Sequence, residues 1–392
     1  MSKQTICIGM AGAGRATELH MEAYAYVRGI NLRYKKIIAR RKERAIAGKE
    51  RYGFEIAADS FEELVNDDEI DVIDICTPPY VHVEMIEQAL LAGKYVICEK
   101  PLTGYFGEDG DGELVGKNVT RAQMYAKVLE NMEQLKKIVE KYPNRFFYAE
   151  NFVYAPAIQR MAEMIRKKQS RILCMKGEES LKGSSSPVAG YWNRNGGGTF
   201  MRTGTHPLSA ILWLKHVEAE ARGCEIKPES IIADMGHITE SLTEYEHRHI
   251  AARPVDVEDY GTASITFSDG TKAIVTATDT LLGGSRNYVE AYCNDAVLYA
   301  NLTLTDLMSS YFLDEERLDD VYISEMLPSK TGWNHPFVAD GIIRGYVAEI
   351  QDFMECIIHD RKPLAGFGLA YDTVKVIYAA YLSAEEERKI KL

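Results

Sequence analysis

The sequence lacks a paired cysteine motif and a long apolar run. Its seven cysteines stand singly, and no two of them form a CxxC pair or a cluster with zinc-ligand spacing. We expect them to be small buried side chains in a reducing compartment. No apolar run reaches the length of about 20 residues that spans a membrane. The first residues enter a strand without the charged and apolar regions of a leader, so the sequence predicts a cytoplasmic protein.

The sequence also lacks an excess of positive charge. The chain has 58 acidic and 46 basic residues and a net charge of −12, which argues against nucleic acid or an anionic membrane as its main partner. Hydrophobic residues make up 46% of the sequence and charged residues 27%, which is ordinary for a globular protein. A length of 392 residues exceeds what one hydrophobic core usually fills and therefore predicts two domains.

The first part of the chain alternates between strand-like and helix-like patterns. Short apolar runs separated by helical patterns predict right-handed βαβ units and a doubly wound parallel sheet, an α/β fold. The predicted strands cover residues 4–10, 34–39, 71–78 and 95–101. We place a dinucleotide-binding Rossmann domain at residues 1–147.

A glycine-rich turn lies where the first predicted strand meets the first helix. Gly12 permits a tight turn, and Gly14 lets the backbone approach a pyrophosphate at the positive end of the helix. The third glycine of the usual motif is replaced by Thr17. Glycine pairs of this kind also close ordinary turns, but the strand–turn–helix position favours cofactor binding.

The end of the second predicted strand carries basic residues. Dinucleotide-binding folds often have an acidic residue here, which binds the ribose hydroxyls of NAD. This sequence has Arg40 and Arg41 instead, which weakly favours NADP because guanidinium groups suit its 2′-phosphate. The alternative is that both arginines are solvated charges at a helix start, and tightly bound NAD also stays open.

A Glu-Lys-Pro sequence ends the fourth predicted strand. Ligands of doubly wound sheets bind beyond the carboxyl ends of the strands, and Lys100 lies at such an end, next to Glu99. Thr77 and Pro78 end the neighbouring strand. We therefore expect Lys100 to point toward the nicotinamide end of the cofactor, with Glu99 either orienting it or capping the turn.

Three segments resemble the glucose–fructose oxidoreductase / inositol dehydrogenase / rhizopine-catabolism oxidoreductase family. They read GAGRATELH, TPPYVHVEMIEQALLAGKYVICEKPLT and AYDTVKVIYAAYLSAEEER. The resemblance implies a second, α+β domain at residues 148–392, whose large open, mainly antiparallel sheet borders the substrate site and joins the subunits of a homo-oligomer. It also implies hydride transfer between NAD(P) and a secondary hydroxyl or carbonyl group of a sugar or polyol.

The resemblance also implies the catalytic residues. Family members carry Asp-x-Gly-x-His-x-x-Asp after a glycine-rich turn, and the matching residues here are Arg202, Gly204, His206 and Ser209. His206 is implied as the general base, and Lys100 as the cation that stabilises the developing alkoxide. Because both aspartates are absent, we expect His206 to lack a nearby carboxylate partner.

The remaining candidates complete the predicted site. The predicted cofactor-binding residues are Gly12, Gly14, Arg15, Ala16, Arg40, Arg41, Thr77, Pro78, His82, Glu99 and Lys100. The predicted substrate-binding residues are Lys100, Asn151, Tyr154, Trp192, Arg202 and His206. Aromatic faces and amide groups suit a pyranose, but interior packing is the alternative for Tyr154 and Trp192.

Residues 103–120 form an insertion relative to the family pattern. Their glycine- and acid-rich composition predicts a surface loop. Asp109 and Asp111 resemble the start of a calcium loop, but the glutamate at position twelve is absent, so we predict no metal site. Because the insertion follows Lys100 closely, a role as a substrate lid stays open.

Three functions remain open from the sequence. The leading one is an NAD(P)-dependent dehydrogenase of a sugar or glycoside, for example at the C3 hydroxyl of a glucoside. The second is a glycosidase that uses tightly held NAD for transient C3 oxidation and elimination. The third is a non-catalytic cofactor-binding sensor, which the departures at Arg202 and Ser209 favour and the retention of Lys100 and His206 opposes.

Overall fold

The first sheet is parallel, as the sequence predicts, and it has six strands, two more than the four predicted. The computed structural model describes residues 5–303, 308–319, 321, 323, 329–336 and 338–392. The strands are β1 (Thr5–Ala11), β2 (Asn31–Ile38), β3 (Ile56–Ala57), β4 (Val72–Ile75), β5 (Tyr95–Glu99) and β6 (Phe146–Ala149). They lie in the order β3-β2-β1-β4-β5-β6. The direction of winding reverses between β1 and β4, so the ligand crevice of this fold lies beyond the carboxyl ends of these strands.

Helices connect these strands and cover the sheet. The central strand β4 is buried along its entire length between β1 and β5, as expected for a strand with helices on both sides. The helices of this part are α1 (Arg15–Tyr24), α2 (Lys42–Tyr52), α3 (Glu62–Val65), α4 (His82–Leu91), α5 (Val115–Asn118) and α6 (Arg121–Val139).

The predicted domain boundary lies within the sixth strand. A division between residues 147 and 148 would cut β6, whose pairing with β5 continues to Ala149 opposite Glu99. The strand was missed as part of this sheet because the long helix α6 separates it from β5. We therefore propose that the first domain ends at about residue 150.

A second sheet of seven strands follows. Its order is β12-β11-β7-β10-β9-β8-β15, and only the pair β7 and β10 is parallel among its pairings. Residues 310–312 and 332–334 form a separate antiparallel pair, β13 and β14. The strands are β7 (Ile172–Ser180), β8 (Pro228–Gly236), β9 (Tyr260–Phe267), β10 (Lys272–Thr278), β11 (Arg286–Cys293), β12 (Val297–Asn301), β13 (Ser310–Phe312), β14 (Gly332–Asn334) and β15 (Ile390–Lys391). The predicted mainly antiparallel sheet is thus confirmed.

One face of this sheet is covered by helices. Strands β9 and β10 alternate between buried and more exposed positions, as strands with one covered face do. Gly177 of β7 lets a helix approach closely, because a Cβ atom there would lie 2.9 Å from the Cβ of Pro207. The helices of the second part are α7 (Asn151–Tyr154), α8 (Pro156–Lys168), α9 (Trp192–Asn195), α10 (Thr199–Arg202), α11 (Thr205–Arg222), α12 (Asp340–Ile343), α13 (Tyr346–His359) and α14 (Phe367–Glu386).

The last two long helices return to the first sheet. Helix α13 packs on α1, and α14 packs on α6. The amide oxygen of Gln351 accepts a hydrogen bond from the backbone N–H of Arg28 (2.9 Å), and the hydroxyl of Tyr371 donates to Glu133 (2.6 Å). The backbone N–H of Tyr148 in β6 donates to the carbonyl of Ala365 (3.0 Å). The C-terminal part of the chain therefore packs against the helices of the first sheet and bonds to its strand β6.

The insertion at residues 103–120 differs from the predicted surface loop. Its tip, residues 107–113, is largely exposed, as are Lys117, Asn118 and Thr120, whereas residues 103–105, Val115 and Val119 are buried. The backbone N–H of Tyr105 donates to the buried hydroxyl of Tyr378 (2.5 Å), and the N–H of Gly116 donates to Asp256 (2.8 Å). The composition of the tip dominated the prediction, whereas Tyr105 and Gly116, on either side of the tip, are tied to the second part of the chain. Among the helices described, none is long and apolar enough to cross a membrane.

Candidate active site

The glycine-rich turn joins β1 to α1 as predicted. Gly12 has a left-handed φ of +125°, and a Cβ atom there would lie 2.4 Å from the carbonyl oxygen of Cys76. Gly14 is the N-cap of the ten-residue helix α1, and a Cβ atom there would meet no protein atom within 4 Å. Arg15 and Ala16 begin the helix, with the exposed guanidinium of Arg15 paired to Glu18 (3.1 Å). The turn therefore leaves open space over a helix N-terminus, which suits a pyrophosphate.

The two basic residues after β2 lie on the surface. Arg40 and Arg41 are exposed, and Arg41 is the N-cap of α2. They follow the strand that neighbours β1, on the side where a dinucleotide carries its adenosine ribose.

His82 connects two loops at the carboxyl edge of the first sheet. Its ring is fully buried, with Nε2 2.9 Å from the carbonyl oxygen of Thr77 and Nδ1 3.0 Å from that of Pro101. Burial lowers the pKa of this imidazole. Thr77 is partly buried, and Pro78 is extended, with φ −62° and ψ 145°. His82 is therefore committed to backbone contacts that hold the two loops, and we leave it out of the proposed cofactor contacts.

Lys100 reaches from the end of β5 to the second part of the chain. Its Nζ donates to the backbone carbonyl of Arg202 (2.6 Å), and its backbone N–H donates to the carboxylate of Glu99 (2.8 Å). Glu99 is buried and lies 3.3 Å from Nε2 of His20. Burial acts to raise the pKa of Glu99, but His20 and Lys100 together lower it. The ammonium group is thus fixed at the boundary between the two sheets.

His206 has a carboxylate partner, so the prediction that it lacks one was wrong. Its Nδ1 lies 2.6 Å from Oε1 of the fully buried Glu150. The ring stacks on Phe152 with centroids 4.9 Å apart. Its Nε2 forms no hydrogen bond within the described part of the chain. Because a carboxylate oxygen accepts, the proton belongs on Nδ1 and a lone pair on Nε2.

The sequence signal for Glu150 was available but not used. The residue directly follows β6, just as Lys100 directly follows β5. The same rule that selects polar residues at the carboxyl ends of parallel strands would therefore have selected it. Glu150 was missed because the predicted domain boundary, between residues 147 and 148, separated β6 from the first sheet.

Arg202 and Ser209, the two departures from the family pattern, bond to residues other than His206. The guanidinium of Arg202 pairs with Asp279, which is nearly buried. Burial raises the pKa of this aspartate, and Arg202 opposes that rise. Ser209 lies in the core, 2.9 Å from the hydroxyl of Thr373. Neither position therefore supplies a carboxylate to His206, and Glu150 occupies that role from a different segment.

Three predicted substrate contacts lie in the interior. Asn151 donates to the carbonyl of Arg344 (2.8 Å). The hydroxyl of Tyr154 donates to Asp352 (3.0 Å) and accepts from the backbone N–H of Ala365 (3.1 Å). Trp192 is 1% exposed, and its ring packs 4.8 Å from that of Tyr381. Interior packing accounts for these side chains, so we leave them out of the proposed substrate contacts.

A buried group of polar side chains supports the base of the cofactor crevice. Nδ1 of His20 lies 2.9 Å from Asp74, which also accepts from the hydroxyl of Tyr24 (3.0 Å). Burial opposes a charge on His20, but Asp74 raises its pKa well above the ordinary value. Together with Cys76 these residues form a compact set of metal-ligand types. Nδ1 of His20, the carboxylate of Asp74 and Sγ of Cys76 contact one another, and Nε2 of His20 lies 3.3 Å from Glu99, so the group links the interior to the turn before Lys100.

A second carboxylate near the base was also missed. Glu179 of β7 is 7% exposed, and its Oε2 forms no hydrogen bond with the residues that the structure describes. Burial raises the pKa of Glu179, while the charges of His206, Lys100 and Arg344 lower it. An acidic residue at a covered position of an alternating strand was the sequence signal that could have identified it.

The chain is similar to known proteins along most of its length. Residues 6–108 match a family model described as an oxidoreductase family with an NAD-binding Rossmann fold, and residues 177–299 match the C-terminal domain of the same Gfo/Idh/MocA family. A levoglucosan dehydrogenase from Pseudarthrobacter phenanthrenivorans is 25% identical over 406 aligned positions, covering 98% of this chain and 97% of that protein.

Solved structures show the same fold. GenD2 from gentamicin A biosynthesis, in complex with NAD, aligns with a TM-score of 0.78 at 19% identity, covering 100% of this chain and 97% of that one. Myo-inositol 2-dehydrogenase from Lactobacillus plantarum aligns with a TM-score of 0.72 at 17% identity, covering 99% and 100% of the two chains. With both halves matched by models of one family and the fold shared along the full length, the chain belongs to the Gfo/Idh/MocA family of oxidoreductases.

Proposed function

We propose that this oxidoreductase oxidises a secondary hydroxyl group of a sugar or polyol with NAD(P). The observation that carries the proposal is the His206–Glu150 pair, 2.6 Å apart, with Lys100 held in the same region through Arg202. Similarity along the full length to a levoglucosan dehydrogenase, and the shared fold of an inositol dehydrogenase, support this substrate class.

The residues that would hold the dinucleotide lie around the glycine-rich turn. Gly12 and Gly14 leave the backbone accessible at the start of α1, where the helix N-terminus favours a pyrophosphate. Thr77 and Pro78 border the same crevice after β4. When bound, the nicotinamide supplies the acceptor for the hydride.

The side chains of this chain supply the proton chemistry. Glu150 holds Nδ1 of His206, so Nε2 is the atom that takes the proton of the substrate hydroxyl. Lys100 uses one of its three N–H donors on the carbonyl of Arg202 and has two left for the substrate oxygen. Its charge stabilises the oxygen as negative charge develops. Glu99 fixes the turn through the backbone N–H of Lys100.

The test is the absorbance of reduced nicotinamide after mixing the purified protein with cofactor and a panel of sugars and cyclitols. We expect turnover with at least one polyol, and a loss of about 100- to 1,000-fold in kcat for Lys100→Ala and for His206→Ala. Both variants should still bind the cofactor. Near-normal turnover in either variant would remove that residue from the mechanism.

The same assay separates the alternative functions. Release of the aglycone from a glycoside without net reduction of the cofactor would identify the glycosidase. Cofactor binding without any turnover would identify the sensor.

Cofactor choice is part of the proposal. We propose that Arg40 and Arg41 weakly favour NADP through its 2′-phosphate, since both side chains are exposed after β2. Titrating wild type and Arg40→Ala with NAD and with NADP tests this. Wild type that binds NAD as well as NADP would show that the arginines are solvated surface charges.

We also propose a homo-oligomer that associates through the uncovered face of the second sheet. Ile274 of β10 is 39% exposed and Tyr299 of β12 is 67% exposed on strands of this sheet. Sedimentation of wild type and Ile274→Lys tests the interface, since a buried lysine would weaken association. Unchanged mass in the variant would place the interface elsewhere.

A further inference from the structure

Three buried hydrogen-bond acceptors, one of them on the carboxylate that pairs with His206, have no partner in the described protein. They are Oε2 of Glu150, Oε2 of Glu179 and Oδ1 of Asn287. The three residues are 0%, 7% and 2% exposed, respectively. Leaving a buried polar atom unpaired costs about 1–3 kcal/mol, so a cluster of them calls for an explanation. All three atoms accept hydrogen bonds, and a ligand that satisfies them must present donors.

The sheet places two of these acceptors side by side. Glu179 of β7 is directly opposite Asn287 of β11 in the antiparallel register. Opposite residues of paired strands project from the same face. Gly177 also lies on this face, because it is two residues before Glu179, and it contacts Pro207 of α11. The pair therefore lies on the covered face of the sheet, alongside the start of the helix that carries His206.

Charges around Glu179 agree with this placement. Its carboxyl group is close enough to His206, Lys100 and Arg344 for each of them to lower its pKa against the effect of burial. Glu179 consequently shares its surroundings with the proposed base and the proposed alkoxide-stabilising cation. Both the ionised and the neutral carboxyl group can accept a hydrogen bond from a hydroxyl.

We propose that Glu179 and Asn287 form a specificity site that accepts hydrogen bonds from substrate hydroxyls flanking the carbon that is oxidised. The inference rests on the proposed function and narrows its substrate class to rings or chains with a hydroxyl next to the reacting one. A compound that lacks this neighbouring hydroxyl leaves the two acceptors unpaired and is rejected.

Singly deoxygenated analogues test the pair. The reference is the best polyol substrate of wild type, compared with analogues that each lack one neighbouring hydroxyl. We expect wild type to prefer the reference over one analogue by about 10- to 100-fold in kcat/KM. Glu179→Ala should lose about that factor on the reference and little on the analogue, so that discrimination disappears. Asn287→Ala should act in the same way on the same or the adjacent hydroxyl.

Matched variants control for folding. Glu179→Gln keeps one acceptor oxygen and should retain part of the discrimination. Glu178→Gln changes the neighbouring residue on the opposite face of β7, where it pairs with Arg286, and should keep the full preference. A uniform loss on every compound in Glu179→Ala and Glu179→Gln would mean that the carboxyl group is only structural or water-bound, and would overturn the inference.

Binding measurements separate this inference from the proposed function. The same comparison is made by calorimetric titration of each compound into protein saturated with NADH. Discrimination in binding that Glu179→Ala abolishes, without oxidation of any compound, would support the specificity site and contradict the dehydrogenase. Oxidation in wild type with unchanged discrimination in the variant would contradict the specificity site alone.

Discussion

At the scale of single residues, the two glycines of the β1–α1 turn differ in what a methyl group would contact. At Gly14 it would meet open space, whereas at Gly12 it would meet the backbone of Cys76. Gly14→Ala should therefore fold with an unchanged melting temperature and bind NAD at least tenfold more weakly, because the methyl group occupies the space proposed for the pyrophosphate. Thermal unfolding without cofactor and a fluorescence titration with NADH measure the two quantities.

Gly12→Ala is the contrasting variant for this prediction. Its added Cβ atom meets backbone 2.4 Å away in a left-handed conformation, so it should lower stability as well as affinity. If Gly14→Ala bound NADH like wild type, the cofactor would not pass over this turn.

Glu258 predicts a dependence of stability on pH. Its fully buried carboxyl group accepts from the hydroxyl of Tyr381 (2.8 Å) and from the backbone N–H of Phe200 (2.9 Å). Burial outweighs these bonds and raises its pKa from 4.5 to about 7. The folded state thus holds the proton more tightly than the unfolded state, so the contribution to stability is present below pH 4.5 and is lost as the pH rises through 7.

The measurement is urea unfolding between pH 5.5 and pH 8. Wild type should lose up to about 1.4 kcal/mol per pH unit relative to Glu258→Gln until the pH passes 7. Glu130→Gln, on the exposed side of α6, is the control and should follow wild type. Parallel curves for wild type and Glu258→Gln would contradict the prediction.

The site could be predicted from the sequence where one local motif carries it. Gly12, Gly14 and Lys100 each lie at the junction that strand and turn patterns mark. Their proposed roles stay predictions. The partner of His206 could not be read from its own motif, because Glu150 belongs to a segment 56 residues away in sequence. For Tyr154 and Trp192 the sequence left substrate contact and interior packing open, since composition cannot distinguish an aromatic ring in a pocket from one in the core; both rings are buried.

At the scale of elements, the periodicity of the sequence predicted the parallel sheet. The composition of the insertion did not predict how the insertion packs. Strands β1, β4 and β5 are short apolar runs bounded by polar or glycine residues, which is a strong pattern. The insertion has a polar tip but apolar anchors, and a composition averaged over its length hides them. Leu102 and Val115 are both buried.

The anchor of the insertion can be tested at Tyr378 of α14. Its hydroxyl accepts from Tyr105 (2.5 Å) and donates to the carbonyl of Gly196 (2.7 Å), with the ring fully buried. Tyr378→Phe should lower the free energy of unfolding by about 1–3 kcal/mol, because two buried backbone groups lose their partner. It should also speed proteolysis of residues 103–120.

Tyr371→Phe is the control on the same helix. Its hydroxyl bonds to Glu133 near the surface, where water replaces the partner, so the loss should stay below about 1 kcal/mol. Equal losses in the two variants would show that the hydroxyl of Tyr378 does not anchor the insertion.

At the scale of the whole molecule, the C-terminal helices pack on the N-terminal domain. Helices α13 and α14 cover α1 and α6 of the first sheet. A fragment of residues 1–150 should therefore be partly unfolded, with exposed apolar surface and weak NAD binding. Joining it by a flexible linker to residues 340–392 should restore cooperative unfolding. Circular dichroism and dye binding compare the two, and a fragment that folds alone with full affinity would contradict this.

The helices that cover the first sheet are also synthesised last. Residues 1–150 leave the ribosome well before α13 and α14 exist, by roughly 10 to 50 s at usual elongation rates of about 5–20 residues per second. During that interval the apolar faces of α1 and α6 have no covering helix. We therefore expect the nascent chain to need chaperone protection for the time taken to translate its second half. A premature stop codon in that half should yield an aggregation-prone product, even though it contains the whole glycine-rich turn.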